Sequence, residues 1–100
     1  MTKTNETANL GKWGRLHYDY LCRNNRTVIN AMRLKGTLGA YFEQFDADTQ
    51  DSFEKLVKRT AEVENVTEEL KATDQTEWLR RMNNIRNRCE EFILSEYVYQ

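Results

Sequence analysis

One hundred residues, 39 % of them hydrophobic and 31 % charged, bound a single domain with an adequate but thin core, and argue against wholesale disorder. The net charge of −1 gives no bulk attraction to nucleic acid or to an acidic surface, and the lack of proline with only 4 glycines favours long helices over tight hairpins. The cysteines Cys22 and Cys89 fit no metal or redox spacing. The longest apolar run, Phe92-Ile93-Leu94, is too short for a signal peptide or a membrane span, so reduced thiols in the cytoplasm are expected.

Residues 1–10 are mostly Thr, Asn, Lys and Glu and read as a flexible tail, with residues 11–100 as one helical domain. Between Lys12 and Arg23 the residues Trp13, Leu16, His17, Tyr20 and Leu21 form a helical stripe. Gly11-Lys12-Trp13-Gly14 is not a phosphate-binding loop, because the spacing and the preceding strand are both missing. Asn24 and Asn25 offer a stop and a restart, since asparagine tolerates the left-handed conformation and also caps helices. From Arg26 to Phe45 the residues Val28, Ile29, Met32, Leu38, Tyr41, Phe42 and Phe45 keep helical spacing. Gly36 and Gly39 each weaken a helix by ~1 kcal/mol relative to Ala. The segment is either one helix with a soft centre or two helices with a turn at Lys35-Gly36-Thr37. The polar Lys35 and Thr37 make a poor match to a DNA-reading helix-turn-helix.

Asp46-Ala47-Asp48-Thr49 reads as a capping cluster that opens a helix from Thr49 to Glu64, with Phe53, Leu56, Val57, Thr60, Ala61 and, at its margin, Val63 inward. Asn65-Val66 ends it, and Asn65 with Glu68 suggests a capping box for a short turn over Thr67–Lys71. The longest uninterrupted stripe then runs from Asp74 to Tyr97. Its apolar residues Trp78, Leu79, Met82, Ile85, Cys89, Phe92, Ile93 and Tyr97 step by three and four, and Asp74 with Glu77 forms a capping box. The expectation is an all-α fold: a small antiparallel helical bundle of four to five helices, packed on the apolar side of a long C-terminal helix. Tyr97-Val98-Tyr99 is expected to fold back on the end of the core.

Chemistry is sparse. His17 is the only histidine, lies on an apolar face and reads as a packed, hydrogen-bonded side chain. The carboxylates of residues 43–77 read as solvated faces and caps, and no catalytic residue, metal site or cofactor is predicted. Charge is uneven: residues 1–36 carry seven basic and two acidic groups, residues 37–77 four and eleven, residues 78–100 four and three. Such asymmetry marks either a binding face or helix surfaces that pair with one another. Two basic clusters stand out: Lys12, Arg15, Arg23 and Arg26, and then Arg80, Arg81, Arg86 and Arg88 interleaved with Asn83, Asn84 and Asn87. Arginine and asparagine are the side chains that meet phosphates and base edges. The predicted contact residues for nucleic acid or a partner are Lys12, Arg15, Arg80, Arg81, Asn84, Asn87 and Arg88. Asparagine is a poor helix former, so Asn83 and Asn84 in mid-helix imply either buried hydrogen bonds to a neighbouring helix or an outside contact.

Gly11-Lys12-Trp13-Gly14-Arg15-Leu16 resembles the opening of the TnpV family. The stretch Val66-Thr67-Glu68-Glu69-Leu70-Lys71-Ala72-Thr73-Asp74-Gln75 is similar to it more specifically, continued by Trp78, Met82-Asn83-Asn84-Ile85-Arg86, Glu90-Glu91 and Glu96-Tyr97-Val98-Tyr99. Members usually carry a longer segment before the Gly-Lys motif. The resemblance implies a small accessory protein of a bacterial mobile element, typically encoded beside a serine recombinase, with an excisionase-like DNA-binding role as one expectation. It carries over no catalytic residues. The expected function is therefore non-enzymatic, acting on DNA to assist excision or recombination. The alternative is a protein-binding regulator or inhibitor of a recombinase or host defence nuclease without DNA contact. A homodimer is compatible with either.

Overall fold

The computed structural model describes residues 10–99, which form helices α1 (Lys12–Asn24), α2 (Arg26–Lys35), α3 (Leu38–Val63), α4 (Glu68–Thr73) and α5 (Gln75–Ile93), closed by a π-helical turn over Leu94–Val98. The fold is all-α, a small bundle with a long C-terminal helix and no strand among the described residues. Most of the expected tail lies outside the described residues. Leu10, its last residue, is buried.

The caps explain most boundaries. Asn25 ends α1 and opens α2, and its side chain accepts a hydrogen bond from the Val28 amide. Gly36 closes α2 in the left-handed conformation at φ 75°, with Thr37 N–H donating to Met32 C=O, so the open choice over Arg26–Phe45 resolves as two helices. Asp74 caps α5 by accepting from Glu77 N–H at 3.1 Å.

Three local expectations are corrected. No helix starts at Thr49, because α3 runs unbroken through Asp46-Ala47-Asp48-Thr49. The capping side chains are spent elsewhere: Asp46 accepts from Gly14 N–H of α1 at 2.8 Å, Asp48 accepts from Gln44, and Thr49 is buried. Asn65 opens no capping box with Glu68. It takes a left-handed φ of 58° after α3, and Thr67 caps α4 instead, accepting from Leu70 N–H. The bundle is organised on α3 rather than on α5: α1, α2 and α5 all pack on α3, and α4 packs on α5.

Residue pairs fix the directions. Gly14–Asp46 and Trp13–Gln50 run α1 antiparallel to α3, and Thr60–Cys89 and Glu64–Arg88 do the same for α5. Two apolar clusters share α3. One joins Trp13, Phe53, Val57, Ala61, Ile85, Cys89, Ile93 and Val98, and the other joins Leu10, Leu21, Ile29, Leu38 and Phe42. Burial of each large apolar side chain contributes roughly 1.5–3 kcal/mol. Since α3 covers only one side of α5, Leu79, Phe92 and Tyr97 at the stripe's margins stay 47 %, 50 % and 42 % exposed, and Val63 is also exposed. Val98 is fully buried and Tyr99 stacks at a tilt on Tyr20, so the C-terminal end does fold back on the core.

Candidate nucleic-acid interface

The turn periodicity of α5 sets its two faces. Trp78, Met82, Ile85, Cys89 and Ile93 point at α3 and α4, and at 3.6 residues per turn Arg80, Asn83, Asn84, Asn87 and Glu91 fall on the opposite side. Asn83, Asn84 and Asn87 are exposed, so none forms the buried inter-helix hydrogen bond that the sequence left open. Two adjoining grooves of about 520 Å³ flank this line. One is lined by Glu64, Arg80, Arg81 and Asn84, the other by Lys12, Trp13, Gln50, Phe53, Arg86 and Glu90, and both include Asn83 and Asn87.

Most cations here are already engaged by carboxylates. Glu77 accepts from Arg80 Nη2 at 2.6 Å and from Arg81 Nε at 2.6 Å, and those two hydrogen bonds push its pKa down to about 2. Arg88 grips Glu64 with both terminal nitrogens, at 2.9 and 2.8 Å, and the carboxyl is held below its ordinary value chiefly by that bond. The Nε of the same Arg88 donates to Asn84 Oδ1 at 2.9 Å. Lys12 pairs with Glu90 and tethers α1 to α5. Arg86 lies over the Phe53 ring, 5.5 Å from its centroid, with no carboxylate partner among the described residues. Lys12, Arg80, Arg81, Arg86 and Arg88 stand around the two grooves against Glu64, Glu77 and Glu90, with Glu91 on the same side of α5 as the asparagines. The surface is close to neutral and rich in hydrogen-bond donors.

Of the predicted contact residues, Lys12, Arg80, Arg81, Asn84, Asn87 and Arg88 come together around these grooves; Arg88 reaches them through Asn84 and Glu64. Arg15 is exposed on α1 and lines neither groove. Gln50 and Phe53 are contributions that sequence reasoning missed. Only the crossing of α1 over α3, where Trp13 Nε1 donates to Gln50 at 2.7 Å, carries them there.

His17 sits apart from this face and is 4 % exposed. Its Nδ1 is 2.8 Å from the Val98 carbonyl oxygen, which can only accept, so Nδ1 carries the proton and Nε2 accepts from the Tyr41 hydroxyl at 3.0 Å. It stacks on Phe45 at 4.0 Å between ring centroids. Burial pushes its pKa down, against the opposing pull of the Val98 hydrogen bond. Both ring nitrogens are committed to holding the C-terminal turn on α1 and α3. Among the described residues no group of His, Cys, Asp and Glu side chains is placed to hold a metal ion, and no helix is long and apolar enough to cross a membrane.

Residues 1–98 match the family described as transposon-encoded protein TnpV. The chain belongs to the TnpV family. It is thereby a protein of transposon origin, and the asparagine and arginine face described above lies on its Met82-Asn83-Asn84-Ile85-Arg86 stretch. No curated protein and no solved structure matches this TnpV chain.

Proposed function

We propose that this TnpV protein is a non-enzymatic accessory factor of its mobile element that contacts duplex DNA through the outward face of α5 and assists excision or recombination. The observation that supports it is the grouping of Asn83, Asn84 and Asn87, none needed by the core, on one exposed helix face between flanking arginines. Cations meet phosphates from the flanks of such a helix while amides meet base edges. With so few surplus charges, binding weakens with salt on a shallow slope and is weak without further specificity.

The test is fluorescence anisotropy of a labelled transposon-end duplex and a scrambled duplex across a salt series. Binding that weakens with salt, and that falls sharply in Arg80→Gln/Arg81→Gln with circular dichroism unchanged, is the expected result. Neutral glutamine is the better choice, since glutamate would repel Glu77. No binding to either duplex at low salt sinks the proposal. One observation favours the alternative of a protein-binding regulator. Phe92 and Tyr97 are half exposed beside Leu56, in a groove that also has Lys55 and Arg59. In that case DNA binding is absent and the purified recombinase forms a complex that Phe92→Ser abolishes.

A further inference from the structure

The three asparagines of α5 are not equivalent, because their side-chain partners differ. Asn84 Oδ1 is taken by Arg88 Nε, and Arg88 is itself fixed by its two-pronged grip on Glu64. That bond uses one lone pair of Asn84 Oδ1 and holds its amide in a set orientation. Asn83 and Asn87 are exposed, line both grooves, and make no hydrogen bond among the described residues. Asparagine is disfavoured in a helix interior, and among the described residues no hydrogen bond offsets that cost at either position.

We propose that Asn83 and Asn87 read adenine in the major groove of duplex DNA, while Asn84 and the flanking arginines hold phosphates. This rests on the DNA-contacting role proposed above and divides the labour within it. A carboxamide recognises adenine by donating from Nδ2 to N7 and accepting at Oδ1 from N6–H, so both ends must be free. Asn83 and Asn87 meet that condition, whereas Asn84 must break its bond to Arg88 to turn its amide to a base edge. Four residues of helix advance ~6 Å along the axis, which matches roughly two base-pair steps of ~3.4 Å. The two adenines are thus expected about two pairs apart. On one flank stand Arg80 and Arg81, and on the other Arg86 and Lys12, each in reach of a groove wall. Glu91 lies one turn beyond Asn87 on the same line, and its carboxylate repels phosphate, which bounds the readable stretch at Asn87.

The experiment is selection from a pool of duplexes with a randomised core one helical turn long, using the full chain and the variants Asn83→Ala, Asn87→Ala and Asn84→Ala. Anisotropy of the selected duplex across a salt series accompanies it. The wild-type chain should enrich adenine at two positions about two steps apart, with about tenfold preference at each. Asn83→Ala and Asn87→Ala should each erase one preference and leave the salt slope unchanged. Asn84→Ala should weaken all sequences alike. Replacing the selected adenines by 7-deaza-adenine, which lacks the N7 acceptor, should reproduce the loss without touching the protein. Salt-dependent binding with no adenine preference, or a preference that survives both Asn83→Ala and Asn87→Ala, overturns this assignment and leaves the DNA-contacting role standing. If no duplex binds at low salt, both fall together.

Discussion

Gly14→Ala and Gly39→Ala are the same substitution inside helices, and the structure gives them opposite signs. Alanine is favoured over glycine in a helix by ~1 kcal/mol when nothing else intervenes. At Gly39 nothing lies within 4 Å of the added methyl, so the variant gains up to about 1 kcal/mol. At Gly14 the methyl meets Asp46 Cβ at 2.9 Å, the Phe42 carbonyl oxygen at 3.1 Å and Leu10 Cδ2 at 3.2 Å. Two of those atoms are a backbone oxygen and a Cβ that cannot swing aside. The helices must part, and parting them also stretches the hydrogen bond from Gly14 N–H to Asp46. Overpacking of this kind costs ~1–3 kcal/mol, which cancels the propensity gain and leaves a loss of up to about 2 kcal/mol. The assay is urea denaturation followed by far-ultraviolet circular dichroism, with thermal melting as a check at roughly 4–8 °C per kcal/mol. A Gly14→Ala protein that gains stability as Gly39→Ala does would refute the close crossing of α1 on α3. A destabilised Gly39→Ala would refute the open space at the start of α3.

Other perturbations separate the remaining parts of the fold. Ile85→Ala empties a fully buried position and should cost about 2–5 kcal/mol by the same denaturation. Asp46→Ala removes the carboxylate that caps α1 from another helix and should cost ~0.5–2 kcal/mol, with helix content read alongside. His17 is neutral in the fold with its pKa below the ordinary 6.5, so the stability it adds is full above pH 6.5 and is lost as pH falls through the folded value. As His17 is the only histidine, His17→Gln should flatten the stability profile in that window, measured by urea midpoints at stepped pH. Glu77 titrates far lower, near 2, so its bonds to Arg80 and Arg81 should persist until pH drops well below 4.5, as followed by carboxyl carbon shifts in NMR.

What the sequence made legible was whatever local chemistry decides. The Asp74 cap, the Asn24-Asn25 break and the Gly36 turn are each written in a few adjacent residues, and the all-α bundle follows from the stripes between them. The break expected before Thr49 failed because a carboxylate in mid-helix looks like a cap until its partner is known. Asp46 does cap a helix, but that helix is α1, 32 residues away in sequence. Gly11 and Gly14 at a spacing of three were the available signal, since small residues one turn apart let another chain approach closely. The exposure of Leu79 and Phe92 was hidden for a similar reason: periodicity gives the width of an apolar stripe, but not how much of it a neighbour covers. On the candidate face, the bonds of Arg80 and Arg81 to Glu77 are readable at helical spacing. The Glu64–Arg88–Asn84 chain is not, because it needs α3 and α5 side by side, and that chain is what distinguishes Asn84 from Asn83 and Asn87.

The single shaft of α3 through both apolar clusters sets an order of opening. Amides in the middle of α3, between Phe42 and Phe53, lie between the two clusters and should exchange with solvent only when the whole domain unfolds. By contrast α2 is anchored by one buried residue, Ile29, and α4 by none. Deuterium should therefore enter α2 and α4 first, by local detachment, while α1, α3 and α5 stay protected as one cooperative unit. The candidate face on α5 would thus sit on the slow-exchanging part of the molecule. Its side chains keep their spacing while the periphery breathes.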